Sequence, residues 1–262
     1  MSFYPRRLRA CLALAALLCG VASGAAPSYT AAGIVNSGNF APGPFAPNSI
    51  VTIFGSGLAR SSQQLTAADI VSGHLPTELN YTQVFVDNYP APLFYVSDSQ
   101  VNFLVPSTQS VGAAKIRVAS EGNTGPEIMV TVVDSAPALF TMAGGYAIAT
   151  HVDNSLVTAD SPAHAGEIIV LYATGLGKTI PNPATGEIPQ YAAPIAALSG
   201  LQVSLAGVVV DSGLIQYAGL TPSSAGLYQI NIELPGNPGT DPELRVTVAG
   251  QSSPAGLNLA VR

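Results

Sequence analysis

The sequence predicts an all-β protein built as two tandem β-sandwiches, on three observations. Apolar and polar side chains alternate with period two in run after run, as half-buried antiparallel strands require. Gly 26 and Pro 21 punctuate a chain of 262 residues, which suits many short strands joined by turns. The strand pattern also occurs twice, in order and at nearly constant spacing. With 48% hydrophobic and 9% charged residues, the chain has ample material for a core. It is acidic, with a formal charge of −6 and no basic stripe, which excludes phosphate-driven nucleic-acid binding.

Residues 1–26 form a secretory signal. Arg6, Arg7 and Arg9 make a positive n-region, and Ala10 to Val21 an apolar h-region too short to span a bilayer. Small residues from Ala22 to Ala26 supply the cleavage site. Leu18 precedes Cys19 where lipidation expects a small residue, which disfavours a lipoprotein. Cleavage leaves 6 basic against 15 acidic residues, a net −9, and removes both Cys11 and Cys19. The exported chain then has no disulfide or thiolate metal site. No later run is long and apolar enough for a transmembrane anchor. The expected location is secreted or extracytoplasmic: periplasm, cell surface or extracellular space.

An N-terminal extended segment, 27–45, precedes a first sandwich over 46–138 and a second over 139–262. Ile50–Phe54 and Ile168–Tyr172 are apolar on both faces and are placed centrally. Lys115-Ile116-Arg117-Val118, Leu201 to Leu205 and Leu244 to Val248 alternate cleanly. Gln63 to Val71 is the one helical candidate. Ala136-Pro137-Ala138 marks the junction.

The repeat aligns Ile50–Leu58 with Ile168–Leu176 at a shift of 118, and Gln83-Val84 with Gln202-Val203 at 119. It aligns Gln100-Val101-Asn102-Phe103 with Gln229-Ile230-Asn231-Ile232 at 129. One insertion between Val210 and Tyr228, including an exposed loop at Thr221 to Gly226, accounts for the change. Gly57 and Gly175 are expected at positive φ, with Leu58 and Leu176 folding back over the core edge. Pro106 and Pro235 end their strands because proline cannot donate to a ladder.

Ala46-Pro47-Asn48-Ser49-Ile50 through Gly57-Leu58 resembles the opening strand of IPT/TIG immunoglobulin-like domains. A longer set includes Ala91–Ser97, Gln100–Phe103, Tyr172–Gly177 and Gly226–Asn231. It resembles the Solibacter-type uncharacterised C-terminal domain family of secreted bacterial proteins. The resemblance runs from about Ile34 to Val261. It implies export and two tandem immunoglobulin-like (IPT/TIG-like) β-sandwich domains, and it supplies no catalytic residues.

Several constellations resemble chemistry and fall short of it. Gly175-Leu176-Gly177-Lys178-Thr179 ends like a P-loop, but Tyr172 stands where its first glycine belongs, and Pro181 and Pro183 block the following helix. Val209-Val210-Asp211-Ser212-Gly213 resembles an aspartic-protease motif, whose chemistry needs a second carboxylate sharing a proton. Val133-Asp134-Ser135-Ala136 lacks the glycine, and Asp211-Ser212-Gly213 reads equally as a tight turn. His74, His151 and His164 lack metal-ligand spacing and are expected as solvated loop residues. Asp87, Asp153 and Asp241 are acidic loop positions without a calcium-loop signature. No Gly-x-Ser-x-Gly elbow occurs. Tyr89, Tyr95, Tyr191 and Tyr217 are available as an aromatic platform for a glycan, although Trp is absent.

These readings predict an exported non-catalytic protein for adhesion or assembly at the cell envelope or outside the cell. A glycan-binding module is the alternative, and a hydrolase using Asp211 the weaker one. No cofactor, catalytic residue or metal ligand is expected. The partner is a protein or a glycan, engaged through loops or exposed strand edges.

Overall fold

The structure, a computed structural model, describes residues 25–262. Most of the expected signal segment, with Cys11 and Cys19, lies outside the described residues. Two β-sandwiches follow one another along the chain. Every strand pair in their sheets is antiparallel. Among the described residues helical structure is limited to short 3-10 turns. The expected helix at Gln63 to Val71 is one correction. Gln63–Gln64 is a strand and only Ala67–Asp69 is a 3-10 turn. Thr66 and Asp69 close that turn with a capping box, and no apolar stripe extends it.

In the first sandwich the front sheet runs Ser28–Asn36, Ile50–Ser56, Gln100–Leu104, Leu93–Val96, Gln63–Gln64. Its back sheet runs Ile128–Val132, Gly112–Ser120, Thr82–Val86, Tyr89–Ala91. The extended N-terminal segment therefore supplies an edge strand. Alternation decides what is buried. Val51, Ile53, Val101 and Phe103 face Val84, Val86, Ile116 and Val118 across the core. Arg117, on the opposite face, stacks over the Phe85 ring at 4.5 Å.

The second sandwich repeats this plan. Its front sheet runs Ala138–Leu139, Ile168–Thr174, Tyr228–Glu233, Ile215–Leu220, Ala193–Pro194, with Ala149–His151 also on Ile168–Thr174. Its back sheet runs Val208–Val209, Leu201–Leu205, Leu244–Val248, Gln251–Ser252. Both Gln-x-Asn segments sit on the equivalent central strand, between the partners that the repeat predicts. Gly57 and Gly175 take φ of 65° and 76°, and Leu58 and Leu176 are buried behind them. The two strands before the prolines end at Leu104 and Glu233.

The expected single insertion divides into two. Tyr95 pairs with Asn102, seven residues on, whereas Tyr217 pairs with Asn231, fourteen residues on. Seven of the ten extra residues therefore lengthen one hairpin loop, and the other three precede Tyr217. The latter form the Ser212–Leu214 turn.

That longer loop is only partly exposed. Pro222 and Ser223 face solvent, but Ala225 is buried with Leu75 and Leu104 of the first sandwich. Ile50, Leu65, Phe94 and Ile188 complete this cluster. The sandwiches thus meet end to end over a buried apolar contact. Polar bonds reinforce it. Ile50 N–H donates to Thr174 Oγ1 at 2.9 Å, and Thr174 Oγ1 donates to Gly226 O at 2.9 Å. Leu75 N–H donates to Gly186 O at 2.8 Å, and Ile188 N–H to Gly73 O at 2.8 Å. The junction is clamped too, because Ala136 N–H donates to Gly175 O at 2.8 Å and Ser135 Oγ to Val248 O at 2.9 Å.

Candidate functional site

The outward face of each front sheet carries the same four-residue arrangement. Opposed residues in a ladder share a face. Phe54 lies opposite Gln100, and Tyr95 opposite Asn102. In the second sandwich Tyr172 lies opposite Gln229, and Tyr217 opposite Asn231. The residues between them, Val101 and Ile230, point into the cores. A β-bulge precedes each tyrosine, between Leu93 and Tyr95 and between Ile215 and Tyr217, and sets the tyrosine opposite the asparagine.

The amides are bonded alike. Gln100 Nε2 donates to Asn102 Oδ1 at 2.9 Å, and Gln229 Nε2 donates to Asn231 Oδ1 at 3.1 Å. Thr52 Oγ1 also donates to Asn102 Oδ1, at 3.1 Å. Among the described residues this leaves the glutamine carbonyl and the asparagine NH2 of each pair without a protein partner. Phe54 is 40% exposed and contacts the exposed Phe40 ring at 6.1 Å between centroids. Tyr217 donates its hydroxyl to Leu220 O at 2.8 Å, with its ring over Gly219, where a Cβ would lie 2.5 Å from the hydroxyl. Apart from tyrosines, the strands that build both faces hold one ionisable side chain, Glu233.

Of the four tyrosines singled out in the sequence, Tyr95 and Tyr217 thus take equivalent places. Tyr89 sits at the tip of a back-sheet hairpin, and Tyr191 is 84% exposed on the segment before Ala193–Pro194. Sequence reasoning missed Phe54, Tyr172 and the amides as surface groups, although period two placed Gln and Asn on one face. The repeat concealed them, because a repeated strand needs only the apolar positions to be explained.

Asp211 is the exposed N-cap of the 3-10 turn Ser212–Leu214, and its Oδ1 accepts from Gly213 N–H at 2.8 Å. The Gly175–Thr179 segment is a docking turn: Gly175 and Gly177 lie so close to Ala136 O and Asp134 O that a Cβ would meet them at 2.3 and 2.4 Å. The acidic candidates are scattered. Asp87 accepts from Gln109 Nε2 and Lys115 N–H, Asp153 from Ser155, and Asp241 from Val261 N–H. Among the described residues no group of three His, Cys, Asp or Glu could hold a metal ion.

One histidine departs from the expected solvated state. His151 Nδ1 contacts Glu167 Oε1, and Nε2 lies 3.2 Å from Ser161 O and 3.4 Å from Ser161 Oγ. This resembles a Ser-His-Glu triad, but a carboxylate and a carbonyl both only accept. Nδ1 therefore donates to Glu167, which raises the His151 pKa, and the protonated ring donates from Nε2 to Ser161 O. Among the other histidines, His74 Nδ1 contacts Ser72 O and His164 Nδ1 contacts Arg262 O.

Comparison with known families adds one assignment to this geometry. The IPT/TIG domain model matches residues 37–141. The chain contains an IPT/TIG domain. No curated protein matches it. Among solved structures, the chain is similar to the surface glycan-binding protein SGBP-B of the Bacteroides ovatus mixed-linkage glucan utilization locus, with a TM-score of 0.35 at 10% identity. That alignment covers 90% of this chain and 46% of the other. The surface glycan-binding protein PbSGBP-B of Prevotella bryantii gives 0.27 at 13% identity, over 82% and 37% of the two chains. Domains 5–6 of the S-layer protein SbsC give 0.28 at 11% identity, over 90% and 98%. The chain thus spans less than half of either glycan-binding protein. These likenesses concern the fold alone.

Proposed function

We propose that this protein is exported and acts without catalysis, as a tandem immunoglobulin-like unit in adhesion or assembly at the cell envelope or outside the cell. The observation that carries the reading is the end-to-end lock between the sandwiches through Leu75, Leu104, Ala225 and Gly226. A buried apolar, hydrogen-bonded contact turns two small domains into one stiff body that holds its outer surfaces in fixed register. The −9 charge of the processed chain and its apolar cores suit a monodisperse exported protein. The Solibacter-type kinship and a division beside 138/139 belong to this proposal; Ala138 and Leu139 themselves both pair within the second sandwich. Asp211 is already used as a turn cap, so the hydrolase reading gains nothing from the structure.

The experiment is fractionation with intact-mass measurement, followed by co-sedimentation of the processed chain with cell envelopes. The expected species begins between Ala22 and Ala26 and lacks Cys11 and Cys19. It sediments with envelopes. An uncleaved cytoplasmic protein, or one that never sediments, would overturn the proposal.

A second reading, glycan recognition, is favoured by one specific observation: the aromatic–amide arrangement on both front sheets. A ring offers a face for sugar C–H groups, and an amide beside it offers the donor and acceptor that adjacent hydroxyls need.

A further inference from the structure

The two aromatic–amide faces are not independent in space. The start of Ile50–Ser56 meets the end of Ile168–Thr174 through Ile50 N–H and Thr174 Oγ1. The end of Gln100–Leu104 meets the loop before Tyr228–Glu233, where a Cβ on Gly226 would lie 2.4 Å from Leu104 Cδ1. Two neighbouring strands of one sheet therefore abut two neighbouring strands of the other, in the same left-to-right order. That registration puts both outward faces on one side of the molecule. Thr52 and Val170, which flank Asn102 and Asn231, are separated along the strands by roughly 25 Å at about 3.3 Å per residue.

We propose that these faces form one two-platform site for a single extended, neutral polysaccharide chain. The platforms are Phe54, Tyr95, Gln100 and Asn102, and Tyr172, Tyr217, Gln229 and Asn231. This deepens the glycan-recognition reading and rests on it.

Four features define the ligand class. The site is an open sheet face rather than a pocket, so it fits an extended chain better than a small molecule. Among the described residues each platform has an unused side-chain carbonyl acceptor and an unused NH2 donor beside an aromatic ring, the set that a sugar with neighbouring hydroxyls satisfies. The face strands carry no basic residue, which disfavours a polyanion. Finally, each platform is small and half-buried, so its own affinity is weak. Rigid spacing lets one chain engage both at high effective concentration.

The repeat could preserve apolar core positions alone, yet it also preserves the outward Gln-x-Asn bond, the aromatic residue opposite Gln and the bulge that sets Tyr opposite Asn. Two unused hydrogen-bonding groups at matched positions are what a repeating ligand would meet.

The test uses the processed chain in affinity electrophoresis through gels holding mixed-linkage β-glucan, xyloglucan, soluble starch or, as the anionic control, alginate. Trisaccharides cut from any retarding polymer compete in parallel. Variants are Gln100→Ala/Asn102→Ala, Gln229→Ala/Asn231→Ala and the combination, each checked by thermal unfolding. A neutral polymer is expected to bind at least about 100-fold more tightly than its trisaccharide. Either face variant should reduce polymer affinity to the trisaccharide level, and the combination should abolish it. Equal affinity for polymer and trisaccharide, or loss through one face only, would overturn the two-platform site and leave glycan recognition standing. Retardation by alginate alone would overturn the neutral-ligand assignment. No retardation in any gel, with envelope sedimentation intact, would overturn glycan recognition and point to a protein partner. Where a variant loses its fold, Asn102→Asp and Asn231→Asp, which keep size and Oδ1 but remove the free NH2, replace it and should weaken binding in the same pattern.

Discussion

Gly226 lies against Leu104 at a distance that admits no side chain. A Cβ there would sit 2.4 Å from Leu104 Cδ1, 2.8 Å from Ile50 Cγ1 and 3.1 Å from Asn48 O, and its φ is 73°. The bare backbone lets the second sandwich's hairpin loop close onto the end of the first.

Gly226→Ala should therefore cost about 2–4 kcal/mol, combining the left-handed backbone penalty with overpacking. Urea unfolding measures it. A midpoint within experimental error of the parent would show that the contact relaxes freely. The loop's exposed part, Pro222 and Ser223, should tolerate substitution within about 0.5 kcal/mol.

Tyr228 is fully buried, and its hydroxyl donates to Gly177 O. Burial pushes its pKa far above the usual tyrosine range, and Asn48 opposes the shift in part. Tyr228→Phe leaves the Gly177 carbonyl without this donor and should cost about 1–3 kcal/mol. Absorbance titration of the folded protein should find this tyrosine silent until the chain unfolds. Its ionisation together with the surface tyrosines would contradict the burial.

The His151–Glu167 contact makes stability depend on pH. The side-chain bond to Glu167 raises the His151 pKa, desolvation opposes it, and the Ser161 carbonyl adds to it. A raised folded-state pKa means that the contribution is fully present below the unfolded value of about 6.5 and is lost as pH rises through the folded value. The melting temperature should fall across that interval. Glu167→Gln should flatten this part of the profile, and an unchanged slope would remove His151 as its source.

Asp211 serves its turn by accepting from Gly213 N–H. Asp211→Ala should cost about 1 kcal/mol, and Asp211→Asn, which retains the acceptor, markedly less. Any hydrolytic activity should be the same in Asp211→Asn as in the parent. Activity abolished by that change in a protein of undiminished stability would restore the carboxylate chemistry.

Much of this architecture was legible along the chain because it is carried by local pattern. Alternation set Val84, Val86, Val203 and Leu205 inward, and the repeated Gln-x-Asn segments identified equivalent central strands. Gly57 and Gly175 announced turns that only a left-handed residue enters readily. These signals depend on neighbours one or two positions apart, or on comparing the chain with itself. Tertiary structure alone decided what distant segments do to one another. It split the insertion into a turn and a hairpin loop, buried Ala225 and Gly226 against Leu104, and brought Ser161 and Glu167 to His151. It also set Tyr95 opposite Asn102 and Tyr217 opposite Asn231, because a bulge shifts register without leaving a periodic trace. Composition could place small residues in a loop, but only the closing of one sandwich onto the other determined which of them water still reaches.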